Sequence, residues 1–101
     1  MAAAALADEQ DMMKVAPERI EETILALVKE RGAGKTICPS EAARAIAGNK
    51  PDEWGPLMGP VRQVAVRLMK QGRIVIRRKG RPVDPDDFRG VYRISGPDAE
   101  A

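Results

Sequence analysis

Between residues 17 and 32 the apolar positions fall on one side of a helix: Ile20, Ile24, Leu27 and Val28 recur at i, i+4, i+7 and i+8. Pro17 suits a first helical position, Glu18, Glu21 and Glu22 suit the opening turns, and Lys29 and Arg31 suit the last turn before Gly32. This spacing predicts helix 1. GAGKTICP then reads as a flexible turn running into a short extended piece, Thr36 to Cys38. Ser40 is placed to cap a second helix, SEAARAIAG, which Gly48 ends; its reciprocal capping box is incomplete, because Ala43 stands where Glu or Gln would be. Four alanines, at 42, 43, 45 and 47, leave room for another helix to approach closely.

NKPDEWGPLMGP reads as a loop with one helical turn around Trp54–Met58, its apolar Trp54, Leu57 and Met58 closing the bottom of a core. Helix 3 is expected from Pro60 to Gln71, ended by Gly72. Val61, Val64, Ala65 and Leu68 share one side of it, and Arg62, Gln63, Val66 and Lys70 share the other. RIVIRR alternates as a strand, KGRPVDPDD is a turn-rich loop, and FRGVYRIS is a further strand. Helix, short strand, helix, helix, strand, long loop, strand is the order of a winged helix. The fold class is therefore α+β, mainly α: a three-helix core with helix-turn-helix geometry and a small β-hairpin wing. A small α+β domain of unrelated topology also satisfies the need to bury helix and sheet faces together.

Length and composition limit the rest. A chain of 101 residues makes one domain, expected over residues 16–96. An acidic Ala-rich disordered tail is expected over 1–15 and a loose end over 97–101. With one Phe, one Trp and one Tyr, the core must be aliphatic. A single cysteine excludes an internal disulfide and fits a reducing compartment. The opening MAAAALADEQDMMK has neither the basic start nor the apolar length of a signal peptide, and no apolar run approaches the roughly 20 residues of a membrane span. A cytoplasmic protein without a membrane partner is expected. The absence of histidine removes the commonest general base and most zinc spacings. No metal, no cofactor and no enzymatic activity are expected, since no constellation meets the requirements of catalysis.

Two segments invite chemistry that their surroundings do not support. GAGKTICPSEAAR resembles the end of a phosphate-binding loop, but the glycine such a loop needs five residues before Gly34 is replaced by Lys29, and the segment follows a helix instead of a strand. It is a helix-ending turn. Cys38, with Lys35 nearby and a helix start just beyond, has some features of a reactive thiol. Lacking a histidine or a second cysteine to act with it, it is read as a small hydrophobe between Ile37 and Pro39.

GKTICPSEAAR, PLMGPVR and KGRPVD, in that order, resemble a bacterial family of short proteins catalogued as domain of unknown function 3253. The resemblance covers roughly Ile20 to Ser95. It implies a winged-helix-like fold and carries no assigned activity.

Charge gives the strongest functional signal. Residues 1–61 hold seven Lys/Arg against ten Asp/Glu, a net of −3, whereas residues 62–101 hold ten against five, a net of +5. Such asymmetry suggests a polyanion-facing half. Arg62, Gln63, Arg67 and Lys70 lie on or beside the outer face of helix 3, and Arg77, Arg78, Lys79 and Arg81 lie in the wing. Together they are expected to straddle double-stranded DNA, with helix 3 in the major groove and the wing along phosphates. Arg62 and Gln63 are the expected base readers. Arg73 and Arg93 are expected only to decorate strands or to pair with Asp84, Asp86 and Asp87. The competing expectation is a protein-interaction or dimerisation module without nucleic acid, with Val66 and Met69 on the outer side of helix 3 and Trp54 beside them as the contact.

Overall fold

A computed structural model of the chain describes residues 15–97. The tail expected over 1–15 and the loose end expected over 97–101 lie outside the described residues, apart from Val15 and Pro97. Three main helices pack against one face of a four-stranded antiparallel sheet, an α+β arrangement that is mainly α.

Helix α1 spans Pro17–Arg31, with Pro17 in its first turn and Gly32, at φ 104°, closing it through an N–H donated to the Val28 carbonyl. Its buried positions are Ile20, Ile24 and Val28, and Leu27 packs at the edge of the core. Strand β1 is Thr36–Ile37, and helix α2 is Pro39–Ala47. The cap of α2 lies two residues earlier than expected, at Cys38 and not Ser40, because Pro39 takes the first helical position, where its missing N–H costs nothing. From there Glu41 is the residue that reaches back, accepting from the Cys38 N–H at 2.9 Å. The expectation that Ala43 leaves the α2 start without such a contact is thereby corrected.

A four-residue helix, α3 (Pro51–Trp54), and a 3-10 turn (Gly55–Leu57) lead directly into α4, Met58–Lys70. Helix α4 begins two residues before Pro60, since a proline in a first turn interrupts no helical hydrogen bond. It ends in a Schellman closure: Gly72 at φ 77° donates to the Met69 carbonyl at 2.9 Å, and Arg73 donates to that of Leu68 at 2.9 Å. This closure consumes Arg73 and Ile74, so the strand expected from RIVIRR is shorter.

Strands β2 (Val75–Arg78), β3 (Arg81–Pro82) and β4 (Arg93–Ser95) complete the sheet in the order β1-β4-β2-β3. The register aligns Ile37, Ile94 and Ile76 in one fully buried row. That row faces Ile20, Ile24, Val61, Ala65 and Leu68 of the helices in a single core. Much of FRGVYRIS is not strand. Gly90, at φ 83°, breaks the extended path, and Phe88 and Tyr92 turn inward as an edge-to-face pair with ring centres 5.3 Å apart. KGRPVDPDD, expected to be loop, contains β3 and a two-residue turn, Lys79–Gly80, with both φ positive at 54° and 82°. Asp84 orders the turn beyond β3, its carboxylate accepting from the Asp86 N–H at 2.9 Å.

Trp54 is half-buried against the core, and the Arg44 guanidinium lies 5.6 Å from its ring centre. No helix among the described residues is long and apolar enough to cross a membrane.

Candidate nucleic-acid interface

Helix α4 has three environments around its circumference. Val61, Val64, Ala65 and Leu68 enter the core, Arg67 faces the flank of α1, and Arg62 faces the loop between β3 and β4. What remains to solvent is polar: Gln63, Arg67 and Lys70 are exposed. Val66 and Met69 do not stand on the outer side as expected. Both are partly buried against the core, and the Met69 sulfur accepts the Ile76 N–H at 3.4 Å. Among the described residues the exposed large hydrophobic is Val91, at 81%.

Arg62 is not placed to read bases. Its guanidinium carbon lies 3.8 Å from the Phe88 ring centre, and Nη2 donates to the Phe88 carbonyl at 2.6 Å. A planar cation stacked on an aromatic face and bonded to the backbone behind it is held as structure. It pins the long loop to α4.

Of the other expected contacts, Arg67 pairs with Glu21 of α1 at 3.6 Å and Lys70 pairs with Asp86 of the loop at 2.6 Å. Both cations are about half exposed, and ion pairs of this kind contribute no more than about 1 kcal/mol. A phosphate can displace either carboxylate at little cost. In the hairpin, Arg77 donates to the Ser95 hydroxyl at 3.0 Å and to the Gly80 carbonyl at 3.3 Å. Arg78 donates to the Val91 carbonyl at 3.0 Å. These two line the stem, half-buried, while Lys79 and Arg81 stand exposed at the tip. The eight expected residues thus divide: three on the open face of α4, two at the tip, two in the stem, and one in a structural lock.

The acidic partners differ from those expected. Arg73 pairs with Glu21 at 2.5 Å, and Arg93 donates to the Thr36 hydroxyl at 2.9 Å; of Asp84, Asp86 and Asp87, it is Asp86 that takes a cation, Lys70. Sequence reasoning also passed over Arg31. It donates to the Thr36 carbonyl at 2.7 Å and grips Glu41. Glu41 is held below the ordinary carboxylate value chiefly by the Cys38 N–H, with Arg31 and Arg93 adding to the effect against a smaller opposing burial. The signal for Arg93 was present in its alternation with Ile94, which marks the outer side of a strand. Arg31 gave no such signal, because its partners lie five and ten residues away across a turn.

Cys38 is half-buried at the start of α2, its sulfur 3.0 Å from the Ser40 hydroxyl oxygen. Among the described residues, no cluster of three or more His, Cys, Asp or Glu side chains is arranged to hold a metal ion.

A small α+β domain with a cationic hairpin beside an open polar helix face is the class these features define. The chain belongs to the family described as "Protein of unknown function (DUF3253)", whose model matches residues 17–97. No curated protein matches it in sequence.

Proposed function

We propose that the protein is a winged-helix domain that binds double-stranded DNA as a small regulator or accessory factor of the bacterial cytoplasm. Helix α4 presents Gln63, Arg67 and Lys70 to the major groove, and the β2–β3 hairpin is the wing along the phosphates. The element order and the antiparallel β1-β4-β2 pairing support the winged-helix reading.

The observation that carries the proposal is the conformation of Lys79. A two-residue hairpin turn with both central φ values positive is the type I′ arrangement, which favours Asn, Asp or Gly at its first central position. Here a lysine occupies it at φ 54°, at a conformational cost of roughly 1 kcal/mol, and its ammonium projects from the tip with Arg81 beside it. A cation held in a conformation that the backbone disfavours supports a role for its charge. The partial burial of Val66 and Met69 works against the dimer reading, because it leaves α4 without an apolar face to offer a second copy.

The test is fluorescence anisotropy of a labelled mixed-sequence duplex titrated with protein at stepped salt. Each phosphate neutralised adds about 0.9 to the log–log slope. A slope of about −3 or steeper is expected; no binding at low salt would retire the proposal.

A further inference from the structure

The outer face of the sheet joins Arg77 of the hairpin stem to cations, Arg31 and Arg93, that the α4 and hairpin reading leaves unused. Cross-strand partners share a face, so the register that buries Ile37, Ile94 and Ile76 against the helices turns Thr36, Arg93 and Arg77 to the opposite side. There Arg77 of β2 is the direct partner of Arg93 of β4. Like charges placed directly opposite destabilise a sheet.

A third guanidinium arrives from the end of α1. Arg31 donates to the Thr36 carbonyl at 2.7 Å, and Arg93 reaches the same oxygen at 3.3 Å while its Nε holds the Thr36 hydroxyl at 2.9 Å. The acceptors on Arg93 are a hydroxyl and a carbonyl, which orient its fork without neutralising it. Glu41 pairs with Arg31 and also interacts with the Arg93 charge. The Arg93 side chain is exposed, with donors remaining beyond those the two Thr36 contacts take. An oriented guanidinium fork matches two oxygens of a phosphate.

We propose that this sheet face, centred on Arg93 with Arg31 and Arg77 beside it, is a second contact surface for the phosphodiester backbone of nucleic acid. The inference rests on the reading of nucleic acid as the partner. Backbone contact is favoured over base contact because the aromatic rings of the hairpin region, Phe88 and Tyr92, are buried and cannot stack on bases from this side. Nucleic acid is favoured over an acidic peptide because β2 joins this face to the Lys79 tip, so that cations continue from Arg93 of β4 through Arg77 to the end of the hairpin.

The experiment maps amide shifts of the ¹⁵N-labelled full chain titrated with a short mixed-sequence duplex, and in parallel with poly-glutamate at the same salt. Thr36, Arg93 and Ser95 report the sheet; Gln63, Lys70 and Lys79 report α4 and the hairpin. Movement of both sets with the duplex is expected. Arg93→Gln should lower the salt slope by about 1, and Arg93→Lys should keep the slope while weakening affinity, since the charge survives and the fork does not. Movement of the sheet set alone sustains this inference and overturns the α4 interface. If only the α4 and hairpin signals move, and Arg93→Gln leaves the slope unchanged, the sheet surface is wrong and the proposed function stands. No movement with the duplex overturns both. Equal shifts with poly-glutamate would make the face a general acid-binding surface and overturn its assignment to nucleic acid.

Discussion

Arg62 and Phe88, 26 residues apart, are joined twice: the guanidinium stacks on the ring at 3.8 Å and donates to the same residue's carbonyl at 2.6 Å. The Tyr92 ring, 5.9 Å from that guanidinium, completes the nest. Arg62→Ala removes a stacked cation and a charged hydrogen bond together, and should destabilise the domain by about 2–3 kcal/mol. Arg62→Lys should recover only part, because an ammonium lacks the plane that stacks. Urea unfolding of the three proteins measures this; a loss under about 0.5 kcal/mol would deny the lock.

Lys79→Asn separates stability from function at one position. Asparagine adopts the left-handed region more readily than lysine, so the variant should gain about 0.5–1 kcal/mol. It should also lose one phosphate contact, lowering the salt slope by about 1. A variant that is neither more stable nor weaker in binding would remove the main support for the hairpin as a wing.

On α4, Arg67→Gln and Lys70→Gln should each weaken binding to every duplex alike, lowering the slope by about 1. Gln63→Ala should instead relax preference at one base pair, by about 1–3 kcal/mol of discrimination. Site selection with randomised duplexes distinguishes these patterns. An identical site preference for Gln63→Ala and the parent would exclude Gln63 as a base reader.

Tyr92 is the chain's single tyrosine, so its phenolate absorbance titrates alone. Burial pushes its pKa up to about 12 from an ordinary 10.0, against the lowering effect of Arg62. A value raised in the folded state means stability that is complete below pH 10 and lost as pH rises toward 12. The titration midpoint should be near 12 in the native protein and near 10 in denaturant. Its hydroxyl is buried without a hydrogen-bond partner among the described residues. Tyr92→Phe should therefore leave stability unchanged or raise it by about 1 kcal/mol; a clear loss would mean that the hydroxyl has a partner in solution.

Glu41 titrates in the opposite sense. Its carboxyl is lowered from 4.5, first by the Cys38 N–H, so its contribution is present above that pH and is lost as pH falls through the folded value. Glu41→Gln keeps an oxygen that can accept the Cys38 N–H and loses the charge paired with Arg31, so it should cost about 0.5–1 kcal/mol near neutrality. The difference from the parent should shrink toward acid. A gap that stays constant from pH 7 to pH 3 would show that the Glu41 charge has no part in it.

Helices α1 and α4 and the strand core at Ile76 and Ile94 were legible because their signals are local. A stripe at i, i+4, i+8, or alternation of isoleucine with arginine, depends only on near neighbours in the chain. The cations of the wing segment were legible for the same reason, but its hairpin was not, since the second strand, Arg81–Pro82, lies in the stretch expected to be loop. The start of α2 was misplaced by two residues because serine is a preferred cap by residue type and cysteine is not, whereas Pro39 at the first helical position puts the cap at Cys38.

Short stretches and simple counts were enough for the α+β class, the order of the main elements, the aliphatic core and the basic second half. Which cations are open to a ligand depended on the folded chain. Arg62 and Arg67 lie on the same helix, five residues apart, yet one is stacked against Phe88 and the other is exposed beside Glu21. The meeting of Arg31 and Arg93 at Thr36 was likewise beyond local pattern. A guanidinium reaches several ångströms from its backbone, and its partner is fixed by whichever acceptor the fold brings within that reach.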